Sequence, residues 1–203
     1  KKIQCIGCPN LLFISRIKGL HTIFCYECPK MLFIPNIKGL KTLRFIKCSK
    51  IKVIPHIEGL QELYCSGNSG LTTIPKIKGL RVINCHDCTN ILFIPKIKEL
   101  VFLMCNGCLK LTVIPQLDNL KHLECSYNRK LIVIEQMKLT RLYCVSCPNL
   151  VNIPSATVIN CTRCPRLLVN KNIVLDTDTF GCKWLDRNRE DNIKIVITLQ
   201  KYF

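Results

Sequence analysis

Paired cysteines are the residues of this chain whose type and spacing are best suited to chemistry. The chain has 16 cysteines among 203 residues. Many of them stand in CxxC pairs, in the segments QCIGCPN, FCYECPK, NCHDCTN, MCNGCLK, YCVSCPN and NCTRCPR. Two CxxC pairs separated by about 15 to 20 residues are typical of a zinc site, and a single pair can carry out thiol redox chemistry. The first two pairs have the zinc spacing, with the residues Cys5, Cys8, Cys25 and Cys28.

The cysteine pairs recur because the chain is an array of repeats of about 20 residues. Their consensus is LxxLxCxxCxxLxxIPxIxG, and we number the positions of each unit from its leading leucine. The array begins with a partial copy at 1–19 and continues with copies at 20–39, 40–59, 60–79, 80–99, 100–119, 120–138 and 139–155, and with one from Ala156. Such regularity over nearly the whole chain is typical of a solenoid.

The consensus predicts the path of the chain within each unit. The segment LxxLxC ends in alternating apolar residues, which favours a short strand with one buried face. The IP step, as at Pro35 or Pro95, blocks a helix, and glycines such as Gly39 and Gly79 suit a sharp bend at the end of a unit. We therefore predict a repeat solenoid of about nine to ten units, with a parallel β-sheet on one side and a mostly irregular return on the other.

The substitutions within the repeat indicate what the cysteines do. Position 6 holds Cys5, Cys25, Cys65, Cys85, Cys105, Cys125, Cys144 and Cys161. Position 9 holds Cys8, Cys28, Cys48, Cys88, Cys108, Cys147 and Cys164. Position 6 accepts Phe45, which favours a packing role, and position 9 accepts Asn68 and Asn128, which favours a hydrogen bond to the backbone. We predict structural thiols and no cofactor, with a metal site and redox chemistry as the alternatives.

The repeat resembles the leucine-rich repeat in its short form of about 20 residues. The LxxLxCxxC part carries this resemblance, and CxxLxxIP is similar to a cysteine-bearing variant of plant resistance proteins. The full CPxLxxIPxIxGL pattern and the ending GCKWLDRNREDNIKIVITLQKYF resemble repeat proteins encoded by giant DNA viruses of amoebae, of the mimivirus kind. The resemblance implies a parallel sheet on the concave face and a viral protein that works in the host cytoplasm or the virion.

Domain organisation follows from where the repeat fades. We predict an array at 1–172, then a degenerate last repeat and C-terminal cap at 173–203. We predict that the cap is either a helix from about residue 190 or a short strand. The strand is an alternative because the run IVIT is β-branched, which weakens a helix. No apolar run reaches the roughly 18 residues that a membrane span needs, and the many unpaired thiols favour a reducing compartment. We expect a protein that is not secreted.

An enzymatic function finds little support in the sequence. The four histidines, His21, His56, His86 and His122, fall at different repeat positions. They lie in no nucleophile, acid–base or metal motif, there is no glycine-rich phosphate loop, and the acidic residues are scattered. We predict a chain without catalytic activity.

Variable residues on the outward face of the strands are the candidate binding residues. Positions 2, 3 and 5 point outward and include aromatic, methionine and arginine side chains, which are enriched at interaction hot spots. Solvent-facing aromatics favoured by β-propensity are the plainer explanation. The predicted partner-binding residues are Phe24, Arg44, Tyr64, Arg81, Phe102, Met104, Arg141 and Tyr143.

Lysines form a second surface feature. The formal net charge is +17, which favours an acidic partner such as nucleic acid, anionic lipid or acidic protein. Position 19 supplies the basic row Lys18, Lys38, Lys78 and Lys98. Stacked lysines can follow a line of phosphates, or they can keep an apolar solenoid dissolved and discourage edge pairing. We therefore predict a protein-binding module, with a structural or nucleic-acid-associated virion component as the alternative.

Overall fold

Eleven β-strands run through residues 1–167, which are the residues that the computed structural model describes. They are β1 (Lys2–Ile6), β2 (Thr22–Tyr26), β3 (Thr42–Ile46), β4 (Glu62–Tyr64), β5 (Val82–Asn84), β6 (Phe102–Met104), β7 (Val113–Ile114), β8 (His122–Glu124), β9 (Val133–Ile134), β10 (Lys138–Tyr143) and β11 (Ser155–Asn160). The predicted domain boundary after residue 172 and the C-terminal cap lie outside the described residues.

Nine strands form one parallel sheet in the order β1-β2-β3-β4-β5-β6-β8-β10-β11. Each repeat unit contributes one of them, and the chain returns between consecutive strands through an extended segment. Two return segments also pair with each other, as β7 and β9. The predicted repeat solenoid with a parallel sheet along one side is confirmed. Within residues 1–167 there is no helix that is long and apolar enough to span a membrane.

The register of the sheet places equal repeat positions side by side. Ile23 pairs with Leu43, and Leu43 pairs with Leu63, so position 4 becomes a continuous row. Positions 1, 4, 6, 12, 15 and 18 are buried in almost every described unit, and together they form one hydrophobic core. A single unit has no second layer to cover these side chains. Stacking therefore supplies the burial that stabilises each unit.

Two positions of the unit adopt left-handed backbone conformations. Position 20 is one of them, with φ of 84° at Gly39 and 85° at Gly79, as the glycines there predict. Position 8 is the other, and it holds charged and aromatic residues in several units, among them Lys47 and Tyr127. The backbone N–H of position 8 donates to the position-7 carbonyl of the next unit, as from Lys47 to Ser66 at 2.9 Å. This hydrogen bond extends the ladder beyond the strand and holds the unfavourable conformation.

Phe45 allows a test of the packing at position 6, because it is completely buried where neighbouring units hold cysteine. Phe45→Cys restores the consensus residue but leaves a cavity. We expect it to lower the free energy of unfolding by about 3 kcal/mol, whereas Cys65→Ala, which removes one heavy atom from the adjacent unit, costs about 1 kcal/mol. Urea denaturation of both variants measures the difference. Equal losses of unfolding free energy in the two variants would contradict the expectation that the cavity left by the Phe45 ring determines the cost.

Candidate functional site

The outward face of the parallel sheet brings the predicted binding residues together. We call it the sheet face and define it by the rows at positions 3 and 5. The register places the position-5 residues side by side in the order Gln4, Phe24, Arg44, Tyr64, Asn84, Met104, Glu124, Tyr143 and Asn160. In the position-3 row, Phe102 lies beside His122, and His122 lies beside Arg141. Seven of the eight predicted residues lie in these rows. Arg81, at position 2, is exposed at their margin.

Arg44 and Tyr64 are the centre of one cluster on the sheet face. The guanidinium carbon of Arg44 lies 4.1 Å from the centroid of the Tyr64 ring. The same guanidinium is 3.9 Å from the Glu62 carboxylate, which also accepts a hydrogen bond from the Thr42 hydroxyl at 3.4 Å. These contacts hold the arginine over the ring, so that less side-chain entropy remains to be lost when a partner binds.

Phe102 and His122 form a second cluster three strands further along the sheet. Their ring centroids are 6.4 Å apart and the rings are tilted by 42°. Both side chains are half-buried, as are Met104 and Tyr143 on the neighbouring row. A ring that is half-buried by its strand neighbours still offers an apolar surface to a partner.

Position 7 adds polar groups along one edge of the sheet face that the sequence analysis did not single out. The Ser66 hydroxyl donates to Asn84 Oδ1 at 2.9 Å, and the Ser126 N–H donates to Asn106 Oδ1 at 2.7 Å. The Val145 N–H in turn donates to Ser126 Oγ at 3.0 Å. The signal in the sequence was the polar residue at position 7 in four consecutive units, and strand alternation from position 5 would have pointed to it.

A shallow cleft of about 610 Å³ lies where the strands of the later units end. Asp87 and Thr89 line one part of it, and Tyr127, Arg129 and Arg163 line another. Several lining residues, among them Asp87, Tyr127 and Arg163, stand at position 8, where the backbone is left-handed. The cleft was not predictable from the sequence. Glycine, the usual sign of left-handed backbone, stands at position 8 in only some of the units.

The basic row at position 19 is exposed throughout. Lys18, Lys38, Lys78 and Lys98 all lie on the surface, on the segment that leads back into the sheet. Glu58 and Asp118 occupy the same position in other units, so the row of positive charge is interrupted.

From Cys25 to Cys164 the cysteines lie in the interior, in two different environments, whereas Cys5 and Cys8 in the first unit are half-buried. Position-6 side chains are buried among the apolar rows. Most position-9 thiols donate to the position-6 carbonyl of the preceding unit, whereas the Cys48 thiol donates to the Ile46 carbonyl of its own unit at 3.5 Å. The sulfur–oxygen distances are 2.9 Å from Cys88 to Cys65, 3.2 Å from Cys108 to Cys85, 3.1 Å from Cys147 to Cys125 and 2.9 Å from Cys164 to Cys144. Each of these thiols therefore satisfies a buried carbonyl oxygen.

Asparagine makes the same contact with more hydrogen bonds. Asn68 Nδ2 donates to the carbonyls of Phe45 at 2.6 Å and Cys65 at 2.7 Å, and its Oδ1 accepts from the Cys48 N–H at 2.7 Å. Asn128 Nδ2 donates to Cys105 and Cys125 at 3.0 and 2.8 Å. Its Oδ1 is buried and accepts no hydrogen bond from the described residues. The two asparagines thus occupy equivalent places with different numbers of partners.

Burial raises the pKa of several interior thiols. It raises the pKa of Cys48 to about 11 and raises the pKa of Cys25, Cys105 and Cys125 further above the ordinary thiol value. For Cys65 the hydrogen bond with the Cys88 thiol is the larger cause of the raised pKa and burial is the smaller. The same hydrogen bond lowers the pKa of Cys88. Because the thiolate is the nucleophile and the metal ligand, the thiols with a raised pKa react slowly. Among the described residues no three or more histidine, cysteine, aspartate or glutamate side chains are grouped as metal ligands would be.

Comparison with protein-family models, curated proteins and solved structures gave no match. The chain is therefore characterised by its own fold and surface. It is a repeat solenoid with a parallel sheet, a thiol-rich core and an outward sheet face that carries two aromatic clusters.

The two asparagines provide a matched test of the position-9 hydrogen bonds. Asn68→Ala leaves a buried carbonyl and the Cys48 N–H unpaired, so we expect a loss of about 3 kcal/mol in the free energy of unfolding. Asn68→Cys keeps a donor for the carbonyl, as Cys88 does, and should lose roughly half as much. Urea denaturation gives these values.

Asn128→Cys is the control for the asparagine test. Its Oδ1 accepts no hydrogen bond from the described residues, so the substitution removes no acceptor that the backbone uses. We therefore expect Asn128→Cys to cost less than Asn68→Cys. The reverse order would show that the accepted Cys48 N–H bond contributes little.

Buried thiols also predict how stability depends on pH. The folded pKa of Cys85 lies well above the ordinary value of 9.0, because of the Cys108 thiol and burial, so the unfolded chain loses this proton first as pH rises. Stability is therefore independent of this group below about pH 9 and falls above it, by about 1.4 kcal/mol per pH unit for each such thiol. Denaturation in reducing buffer between about pH 7 and pH 10 measures this slope, and Cys85→Ala should reduce it by one thiol's share. An unchanged slope in the variant would contradict the assignment.

Proposed function

We propose that this chain is a non-catalytic protein-binding module whose partner docks on the sheet face. The observation that carries the proposal is the pair of aromatic clusters, Arg44 with Tyr64 and Phe102 with His122, which lie on the same face of one continuous sheet. Aromatic and arginine side chains that are partly ordered before binding are the usual centres of protein interfaces.

The contrast between inward and outward positions supports this proposal. Position 4 holds leucine or isoleucine in every described unit, whereas position 5 changes from Phe24 to Arg44, Tyr64 and Asn84 along the stack. Packing restricts the inward residues, but the sheet alone does not require a particular outward residue. A varied row on a rigid support suits the recognition of one irregular partner surface.

The resemblance to short leucine-rich repeats of giant viruses of amoebae extends the proposal. In that setting the partner is a protein of the amoebal host or of the virion, and the chain works in the host cytoplasm or within the virion. The free interior thiols suit a reducing compartment of this kind. The resemblance further implies that the sheet face is the concave side.

The alternative function is that of a structural or nucleic-acid-associated virion component that uses the basic row. Lys18, Lys38, Lys78 and Lys98 are exposed and are available to phosphates. Because phosphate contacts weaken steeply with salt, this alternative predicts strong salt dependence of binding. Glu58 and Asp118 interrupt the basic row, so its surface is less continuous than the sheet face.

Affinity capture from an amoebal lysate with two matched variants distinguishes these functions. One variant carries Phe24→Ala, Tyr64→Ala and Met104→Ala on the sheet face, and the other carries Lys38→Glu, Lys78→Glu and Lys98→Glu. We expect the protein captured by the unaltered chain to bind the lysine variant about equally well and the sheet-face variant at least tenfold more weakly, since hot-spot residues contribute about 2 kcal/mol or more each.

The opposite pattern would support the alternative. If charge reversal abolishes capture and nuclease treatment of the lysate does the same, nucleic acid bridges the contact and the sheet-face proposal fails. Thermal unfolding of both variants serves as the control for folding, because all six substituted side chains lie on the surface or are half-buried.

A further inference from the structure

Exposed apolar residues line the outer side of the return segments, away from the sheet face. They stand at repeat positions 13 and 14, between the buried positions 12 and 15. Three units carry a Leu-Phe pair there. We call these six residues the apolar row: Leu12, Phe13, Leu32, Phe33, Leu92 and Phe93. Lys52, Thr72 and Thr73 separate the third pair from the first two, so the row consists of one patch in the first two units and a single pair in the fifth. Exposed apolar patches mark contact with another surface.

The exposure of the apolar row belongs to the repeat and does not arise from the first units being at one end of the stack. Leu32 and Phe33 in the second unit are 50% and 51% exposed, and Leu92 and Phe93 in the fifth unit have the same values. The Phe13 and Phe33 rings stack with centroids 5.3 Å apart and an interplanar angle of 10°. Neighbouring units thereby present one continuous apolar surface.

The fold does not require aromatic residues at these positions. In the fourth unit Thr72 and Thr73 occupy positions 13 and 14, are also exposed, and leave Leu71 and Ile74 on either side buried. Threonine therefore satisfies the backbone path and the core equally well. The Leu-Phe pairs are best explained by a contact outside the chain.

Basic residues flank the apolar row on both sides. Position 11 holds Lys30, Lys50, Lys110 and Lys130, and position 17 holds Arg16, Lys76 and Lys96. Neither position carries an acidic residue in any described unit. Of these basic residues, Arg16, Lys30 and Lys96 share a unit with a Leu-Phe pair, and each is three residues from its phenylalanine, so the two Cα atoms are within about 11 Å. Lys96 Nζ also lies 3.6 Å from the Glu135 carboxylate. Long basic side chains extend along apolar surface and hold their charge at its margin.

We infer that the apolar row and its flanking basic residues dock this protein on the surface of an anionic lipid bilayer. The leucines and phenylalanines enter the boundary between headgroups and acyl chains, and the lysines contact the anionic headgroups. A bilayer accepts apolar side chains without a matched pocket, which suits Leu-Phe pairs that are separated along the stack. Positive charge on both sides of the row complements a laterally continuous anionic surface, and each basic residue strengthens binding about fivefold.

Sedimentation of the whole chain with vesicles tests this inference. The vesicles contain phosphatidylcholine alone or phosphatidylcholine mixed with phosphatidylserine. We expect the protein to sediment with the mixed vesicles and not with phosphatidylcholine alone. Phe33→Ser with Phe93→Ser should weaken this binding about tenfold for each phenylalanine, whereas Phe33→Trp with Phe93→Trp should restore it, because tryptophan suits the interface.

Ile6→Ser is the matched control, because Ile6 is also exposed and apolar but lies outside the apolar row. It should bind vesicles as the unaltered chain does. Two results would overturn the inference: no binding to mixed vesicles, or equal binding by the serine variant, which would mean that charge alone adsorbs the protein. Loss of captured protein partners in the serine variant without vesicle binding would assign the row to a protein instead.

Discussion

The hydrogen bond from a position-9 side chain to the position-6 carbonyl of the preceding unit is the contact on which the rest of the stack depends. A chain that leaves a strand inside a solenoid has backbone groups that neither the sheet nor water can reach, and unpaired groups of this kind are costly. Cys88 meets this need with one thiol donor, and Asn68 meets it with donors and an acceptor. Because this bond recurs at most junctions between units, with Cys48 as an exception, it favours one register, and the nine parallel strands of the sheet follow that register.

The register also determines the surface. Once each unit repeats its predecessor, every outward position becomes a row, and a row has properties that a single residue lacks. Arg44 lies over Tyr64 because both stand at position 5 of adjacent units, and Phe13 stacks on Phe33 because both stand at position 14. The sheet face and the apolar row are thus two products of one backbone repeat. They lie on different sides of the unit, so the two proposed contacts do not compete for the same residues.

The rows of the core were predictable from sequence because burial restricts residue type. Apolar residues such as Leu63 and Ile77 recur wherever the side chain points inward. Gly39 predicted a bend, and its φ lies in the left-handed region. The left-handed backbone at position 8 was not predictable, because inter-unit hydrogen bonds impose it on Lys47 and Tyr127 against their own preference. The apolar row was missed for a related reason. Its positions are variable in the consensus. Phe33 and Thr73 both occupy position 14 of their units, so no single residue type marks the row.

The placement of the thiols explains why a chain so rich in cysteine directs attention to its surface. A position-6 thiol fills a space that Phe45 fills in another unit, and a position-9 thiol donates to a carbonyl as Asn68 does, so packing and hydrogen bonding account for a cysteine at either position. The raised pKa of Cys25 and Cys125 keeps the sulfur protonated and therefore poorly suited to attack or to metal coordination. Small uncharged cysteines let the units approach closely without leaving a charge in the core. What distinguishes one unit from the next is then the set of side chains that face outward, and the proposed recognition depends on them.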